Sequence, residues 1–341
     1  MACELADDTS WPAFLSARAL LRSGVQELVF AHRGSDWSCE AAGDADLRDA
    51  RQVLSVSVRP ASLVRPRTMA AECAWTVYSP RDNGLPDFVH ADGRPVCPTM
   101  IAMARVYLPV LLLAAAARAE GRTFVAGHVT QTLDGRIACE NGQSQWIGNE
   151  ADLRHAHRMR ALLDGVLVGA GTALTDDPRL TVRHVPGADP HRIVLSGSGR
   201  VLRAGRALRV FDPPGGTAVI AAHATVDAPP NGARVVRVVA DGPALDPAAV
   251  LAAVHAIGVQ SLYLEGGARA LSSFLLAGSI DLLQVHIAAM VLGSGIPSFR
   301  LPPVAHVRDG VPFAVDHALL DGHVLLSCRP RPKANATDGV R

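Results

Sequence analysis

Residues 121–328 of this chain predict an α/β layered domain with a mostly parallel central sheet, and three observations carry that prediction. From Arg122 onward, apolar runs of about five residues alternate with helical stretches. The runs are rich in Val and Ile with little polar alternation, as in strands covered on both faces. Each helical stretch is led by a polar or glycine-bearing turn of the kind that starts helices. Strand and helix alternation lays helices against a parallel sheet.

The elements follow in order. Residues 1–120 are expected to form a smaller N-terminal α/β extension of unknown fold and function. A helical pattern covers Pro12–Arg22, and short apolar runs follow at Glu27–Phe30 and Val53–Val58. The proline-bearing, polar stretch Tyr78–Pro98 reads as loop. Residues 100–119 are alanine-rich helix formers that bridge to the next domain. The strand candidates are then Phe124–Val129, Gly165–Gly169, Arg192–Leu195, Ala218–Ala222, Val235–Val239, Ser261–Leu264, Leu283–Ala288 and His323–Cys328. Helices are expected at Glu150–Leu163, Pro247–Ile257 and Ala268–Ala277, led by GNE, LDP and EGG. The tail, residues 329–341, is polar and proline-bearing and is expected to be disordered.

Composition narrows the class. The 341 residues suffice for two domains, and 49% hydrophobic with 19% charged residues is the make-up of a well-cored globular protein. A formal charge of +1 without a basic stripe argues against nucleic acid as a partner. Six cysteines (Cys3, Cys39, Cys73, Cys97, Cys139, Cys328) form no C-x-x-C pair, which fits a reducing compartment and neither a disulfide framework nor structural zinc. The acidic N-terminus lacks the order of a signal peptide. The longest apolar run, Leu108–Ala117, falls short of the roughly 20 residues that span a bilayer. A cytosolic protein without a membrane partner is expected.

Three clusters could carry chemistry. In Thr132–Trp146, Leu133-Asp134-Gly135 is a turn signal, because Asp accepts from nearby backbone donors and Gly takes positive φ. Ser144 and Trp146 either wall a pocket or pack on neighbours. In Val166–Arg183, a buried strand ends in Gly169-Ala170-Gly171-Thr172, at the carboxyl end where open α/β sheets bind ligands. The third glycine of a dinucleotide fingerprint is missing. Asp176 and Asp177 are either acid/base carboxylates or a cap before Pro178, and Arg183 is either a phosphate donor or a surface charge. In Leu262–Ser273, a strand delivers Glu265, then Gly266 and Gly267 open a helix whose amides suit a diphosphate; a plain tight turn is the competing reading.

Other chemistries are set aside. The H-x-E and P-C-x-x-C motifs of zinc nucleobase deaminases are absent, as is the G-x-S-x-G elbow of α/β-hydrolases. His155 and His157 lie two apart on a helix and face different ways, which is poor geometry for a metal.

Taken in order, TLDGRIACENGQSQWI, HRMRALLDGVLVGAGTALTDDPRLTVR, HRIVLSGSGRV, YLEGGARAL and SIDLLQVHIAAMVLGSG resemble the reductase domain of bacterial bifunctional riboflavin-biosynthesis proteins. The resemblance implies a dihydrofolate-reductase-like mixed sheet, a homodimer and NADPH as hydride donor. It implies reduction of 5-amino-6-(5-phosphoribosylamino)uracil to its ribityl form by hydride transfer to C1′. Ser144, Arg160, Leu180, Arg183 and Glu265 then contact the substrate, with Arg160 and Arg183 on its phosphate or pyrimidine end and Glu265 handling protons. Thr130, Trp146, Gly171, Thr172, Asp176 and the segment Gly266, Gly267, Ala268, Arg269, Ala270, Leu271, Ser272 and Ser273 contact the cofactor. The loop with Ser196, Ser198 and Arg200 approaches the 2′-phosphate side of NADPH.

Three departures accompany the resemblance. His128 stands at a substrate position where this family usually carries lysine, and Ser196 where it commonly has Asp. The N-terminal deaminase is replaced by a segment that looks unrelated. Two further readings therefore stand beside the first: a paralogue reducing a related pyrimidine or pteridine, and a catalytically silent nucleotide-binding scaffold.

Overall fold

The computed structural model describes residues 9–33, 35–57, 74–80, 86–90, 97–212, 216–222, 229–239 and 244–331. The N-terminal unit runs α1 (Trp11–Arg22), β1 (Glu27–Arg33), β2 (Asp36–Ala41), β3 (Gln52–Ser57), β4 (Ala74–Pro80), β5 (Pro86–His90) and α2 (Pro98–Ala119). Its five strands are ordered β2-β1-β3-β4-β5, with only the β3–β4 pair parallel. β5 lies inside the stretch that reads as loop. All five of its residues pair with β4, and this pairing, rather than local propensity, makes it a strand.

The second unit runs β6 (Phe124–Thr132), β7 (Arg136–Ala138), α3 (Glu150–Leu162), β8 (Gly165–Gly169), α4 (Ala170–Thr175), β9 (His191–Leu195), β10 (Thr217–Ala221), β11 (Arg234–Arg237), α5 (Pro247–Ala256), β12 (Ser261–Glu265), α6 (Ala268–Leu276), β13 (Leu282–Ala288), β14 (Ile296–Pro297), β15 (Phe313–Leu320) and β16 (His323–Pro330). Nine strands form one sheet in the order β11-β10-β9-β8-β12-β6-β13-β16-β15. The first seven are mutually parallel, and β16 and β15 add antiparallel at one edge. This is the mixed, mostly parallel sheet flanked by helices that the alternation predicts. β7 pairs with β14 in a separate two-stranded ribbon. Arg329 and Pro330 belong to β16 rather than to a disordered tail, and residues 332–341 lie outside the described residues, as do Cys3, Cys73 and Val58.

Two apolar layers sandwich the large sheet. One carries α5 and α6 against Val125, Leu167, Ile193, Leu262 and Leu264. α6 can lie this close because residue 127 is glycine: a Cβ there would meet Leu271 Cδ1 at 2.9 Å. The opposite layer joins α1, α2 and α3 in a core with Trp11, Phe14, Tyr107, Met159, Val166 and Tyr263. α2 is long and apolar enough, by length and composition alone, to cross a membrane. Here it lies between the sheets, touching β5 on one side and β6 and β15 on the other, with Met103, Tyr107, Leu108 and Val110 fully buried. Arg105 leaves this helix to pair with Asp316 of β15 at 3.1 Å.

Candidate active site

The carboxyl ends of the parallel strands β6, β8, β9 and β12 converge on two adjoining cavities. The larger, about 790 Å³, is lined by Gly171 and Thr172 after β8, Ser196, Ser198 and Arg200 after β9, and Gly267–Ala270 with Ser273 at the start of α6. The smaller, about 390 Å³, is lined by His128 and Thr130 on β6, Ser144, Asp176, Glu265, Gly266 and Leu271. The two share Gly171, Thr172, Gly267 and Ala268, so groups held in each would meet over the first turns of α4 and α6.

The close approach there depends on Gly267, whose φ of +79° is costly for other residues and whose added Cβ would lie 3.3 Å from Thr172 Oγ1. The backbone amides of α6 therefore open on the larger cavity, where the helix end favours an anion. Ser196 Oγ is buried there without a hydrogen-bond partner, and Arg269 and Arg300 join Arg200 in the lining. An orphaned hydroxyl, three guanidinium groups and a helix start suit a phosphorylated nucleotide.

Register explains the smaller cavity. Glu265 and His128 are direct partners on the parallel strands β12 and β6 and project to the α3 side. Arg160 of α3 donates to Glu265 through Nε (2.7 Å) and Nη2 (2.6 Å), and its Nη1 reaches the Thr181 carbonyl at 3.1 Å. A forked ion pair of this kind fixes the carboxylate plane. Arg160 is not among the residues that line the cavity and is held by Glu265, so its fork orients that carboxylate. Arg183 donates to Thr181 Oγ1 at 2.5 Å, and its backbone N–H donates to His157 Nδ1 at 2.9 Å. Burial, followed by Arg160, pushes the His157 imidazole down to about 3. Leu180 is buried with φ +57° beside this arrangement and lines neither cavity.

Other expected residues divide. Thr130 lines the smaller cavity while its hydroxyl donates to Asp152 at 2.8 Å. Trp146 is 84% exposed with φ +74° and lies outside both linings, and Ser272 accepts the Arg300 backbone N–H at 2.7 Å instead of facing the larger cavity. Asp134 takes the turn reading: it accepts from the backbone N–H groups of Leu292 and Gly293. Asp177 likewise accepts from the Arg209 N–H, whereas burial raises the carboxyl of the cavity-lining Asp176. Sequence reasoning missed Ile137 and Ile296, which line both cavities from the β7–β14 ribbon, and Arg300 beyond it. Strands of two and three residues leave no period to detect. Among the described residues, no group of three or more His, Cys, Asp or Glu could hold a metal.

Residues 123–310 match the RibD C-terminal domain family. This chain belongs to that family. It is 36% identical over 180 residues to the 2,5-diamino-6-ribosylamino-4(3H)-pyrimidinone 5′-phosphate reductase of Methanothermobacter thermautotrophicus, covering 50% of this chain and 80% of that protein. It is 33% identical over 183 residues to the riboflavin biosynthesis protein RibD of Corynebacterium ammoniagenes, covering 51% of this chain and 47% of that one, so it spans about half the length of this RibD relative. The solved structure of Acinetobacter baumannii RibD overlays 96% of this chain and 100% of its own with a TM-score of 0.59 at 20% identity.

The family match begins at residue 123, but the likeness of fold does not. An overlay of 96% necessarily includes the N-terminal five-stranded sheet. The N-terminal segment, which looks unrelated in sequence, therefore shares its fold with that RibD while lacking the zinc-deaminase motifs.

Proposed function

We propose that this protein is an NADPH-dependent reductase of a phosphoribosylaminopyrimidine in riboflavin biosynthesis. The observation that carries the reading is the junction of the two cavities: a nucleotide-sized space with an α6 helix start opens onto a polar space that presents Glu265 and His128. NADPH is assigned to the larger cavity, where Ser196, Ser198 and Arg200 take its 2′-phosphate side and the first turn of α6 its diphosphate. When bound, the reduced nicotinamide supplies the hydride, as cofactors rather than side chains do in such reactions.

The chain's own residues position the other partner. Glu265, fixed by Arg160, accepts from the ribose hydroxyls, and Ser144 reaches the same cavity from the loop after β7. Asp176 and Thr172 frame the junction. The reading includes a homodimer, which sedimentation checks.

Two pyrimidines compete for the cavity. The sequence resemblance favours 5-amino-6-(5-phosphoribosylamino)uracil. The 36% identity to the Methanothermobacter reductase, together with the missing deaminase motifs, favours the 2,5-diamino pyrimidinone as a second reading. Purified protein is given each compound with NADPH, and nicotinamide absorbance is followed. Substrate-dependent loss with one compound, giving a ribityl product, supports the reading and selects the base; no loss with either overturns it.

A further inference from the structure

A second set of polar side chains lies beneath the smaller cavity, on the α3 side of the sheet. His128 lines the cavity, and its Nε2 is 3.5 Å from Asp152 Oδ1 in the first turn of α3. The same oxygen is 3.0 Å from Nδ1 of His286 on β13, whose side chain is fully buried. His286 Nε2 lies 2.8 Å from Nδ1 of His323, at the start of β16, where the ring is partly open to solvent. Asp152 Oδ2 is satisfied by Thr130, so Oδ1 is the oxygen left for the two imidazoles. Neither imidazole nitrogen is aligned for a hydrogen bond to it, and both contacts are ion-pair contacts. Titratable side chains thus run from the cavity, along the α3 face of the sheet, to the surface.

The proposed reaction needs such a group. Ring opening breaks C1′–O4′ with its electron pair going to oxygen, which takes a proton as the glycosylamine nitrogen loses one; that step is proton-neutral. Hydride then adds to C1′ of the C=N bond, the π pair moves to nitrogen, and nitrogen takes a proton. Each turnover consumes one hydride and one proton. Glu265 is poorly suited to deliver it, because both carboxylate oxygens already accept N–H groups of Arg160.

We propose that His128 is the residue that delivers this proton from Nδ1, that Asp152 positions it with Nε2–H toward the carboxylate, that His286, backed by His323, holds the same carboxylate oxygen from the other side, and that the spent Nδ1 is refilled by water entering the cavity. The inference rests on the reductase reading above. An aspartate behind a histidine fixes its tautomer in this way and stabilises the doubly protonated ring. The groups facing His128 are Asp152 and His155 on α3 and Glu265 and Tyr263 on β12, and His286 on β13 meets the same Asp152 oxygen. Burial works to raise the Asp152 carboxyl, but His128 and His286 hold it well below the usual carboxylate range, leaving it anionic between them.

The test combines tautomer and rate. In protein labelled with 15N at histidine, with the His128 resonances assigned through His128→Gln, the neutral ring is expected to carry its proton on Nε2, and Asp152→Asn is expected to mix the tautomers. With the pyrimidine substrate, His128→Gln and Asp152→Asn are each expected to lower kcat by about 100-fold with KM within threefold. Both should also flatten the alkaline limb of the kcat–pH profile, and His128→Lys should restore part of the rate. Wild-type kcat and pH profile in folded His128→Gln, or an Nδ1–H tautomer in the wild type, overturns the proposal. If the wild-type protein turns over neither pyrimidine, the reductase reading fails on its own. The tautomer then still decides the Asp152 arrangement, with Nε2–H supporting it and Nδ1–H overturning it.

Discussion

Arg160 and Glu265 show how one buried contact sets both stability and reactivity. Both are nearly buried, and each satisfies the other's charge through two hydrogen bonds. Removing one partner leaves the other charged and uncompensated, which costs about 3–5 kcal/mol. Arg160→Met is therefore expected to lower the unfolding free energy from urea titration by that amount, whereas a value equal to wild type would mean that the pair carries no net stability. Glu265→Gln keeps the shape, and it should lower kcat because the amide holds the ribose hydroxyls less strongly; unchanged turnover would remove Glu265 from the site. His155 gives a pH prediction. It lies between Tyr107 of α2 and Gln284 of β13, and burial, then His128, pushes its imidazole down to about 3. The unfolded chain binds a proton at this residue below roughly pH 6.5 that the folded chain does not, so its stability contribution is present above that value and fades as pH falls toward 3. Urea midpoints should fall between pH 7 and pH 5, and His155→Gln should flatten that slope. Little of this was legible in the sequence. Glu265 stood out because a strand–Glu–Gly-Gly–helix order is visible locally, whereas the ion pair with Arg160 spans 105 positions and needs the fold to bring it together.

At the scale of elements, the first turns of α4 and α6 and the loop after β9 decide what the larger cavity can hold. Gly267→Ala adds a Cβ 3.3 Å from Thr172 Oγ1 at a positive φ, so the α6 amides should retreat. NADPH affinity, read by nicotinamide fluorescence, is expected to fall about 10-fold or more; an unchanged Kd would place the diphosphate elsewhere. Arg200→Ala should weaken NADPH while sparing NADH, because only the former presents a phosphate to the loop. The strands and helices of this unit were readable because valine-rich runs and glycine turns recur along it. β5, β7, β14 and β15 were not, since edge and ribbon strands take their conformation from pairing more than from their own residues. The loop reading of Tyr78–Pro98 failed for this reason at 78–80 and 86–90, residues 81–85 and 91–96 lying outside the described residues, and Ile296 was missed likewise.

The whole molecule is held by a core that crosses the boundary between its units. Trp11 of α1 is fully buried, stacks near Phe14, meets Tyr107 edge-on, lies under the Arg158 guanidinium of α3, and donates to the Pro186 carbonyl at 2.9 Å. Trp11→Ala is expected to destabilise the protein by about 3–5 kcal/mol, and thermal unfolding should remain a single transition; two separated transitions would mean that the units fold independently. The N-terminal sheet thus backs α2, and α2 in turn backs the sheet face that carries His128 and Glu265. Its fold was hidden from the sequence because a likeness at 20% identity overall shows in the arrangement of elements and not in motifs. The central claim is that the two cavities bring a reduced nicotinamide and a phosphoribosylaminopyrimidine together at C1′. It is tested most directly with NADPH deuterated at the transferable position and each of the two pyrimidines, the product being analysed by mass spectrometry and NMR. A single deuterium at C1′ of a ribityl product is the result predicted, and a product without deuterium, or no product with either pyrimidine, would contradict it.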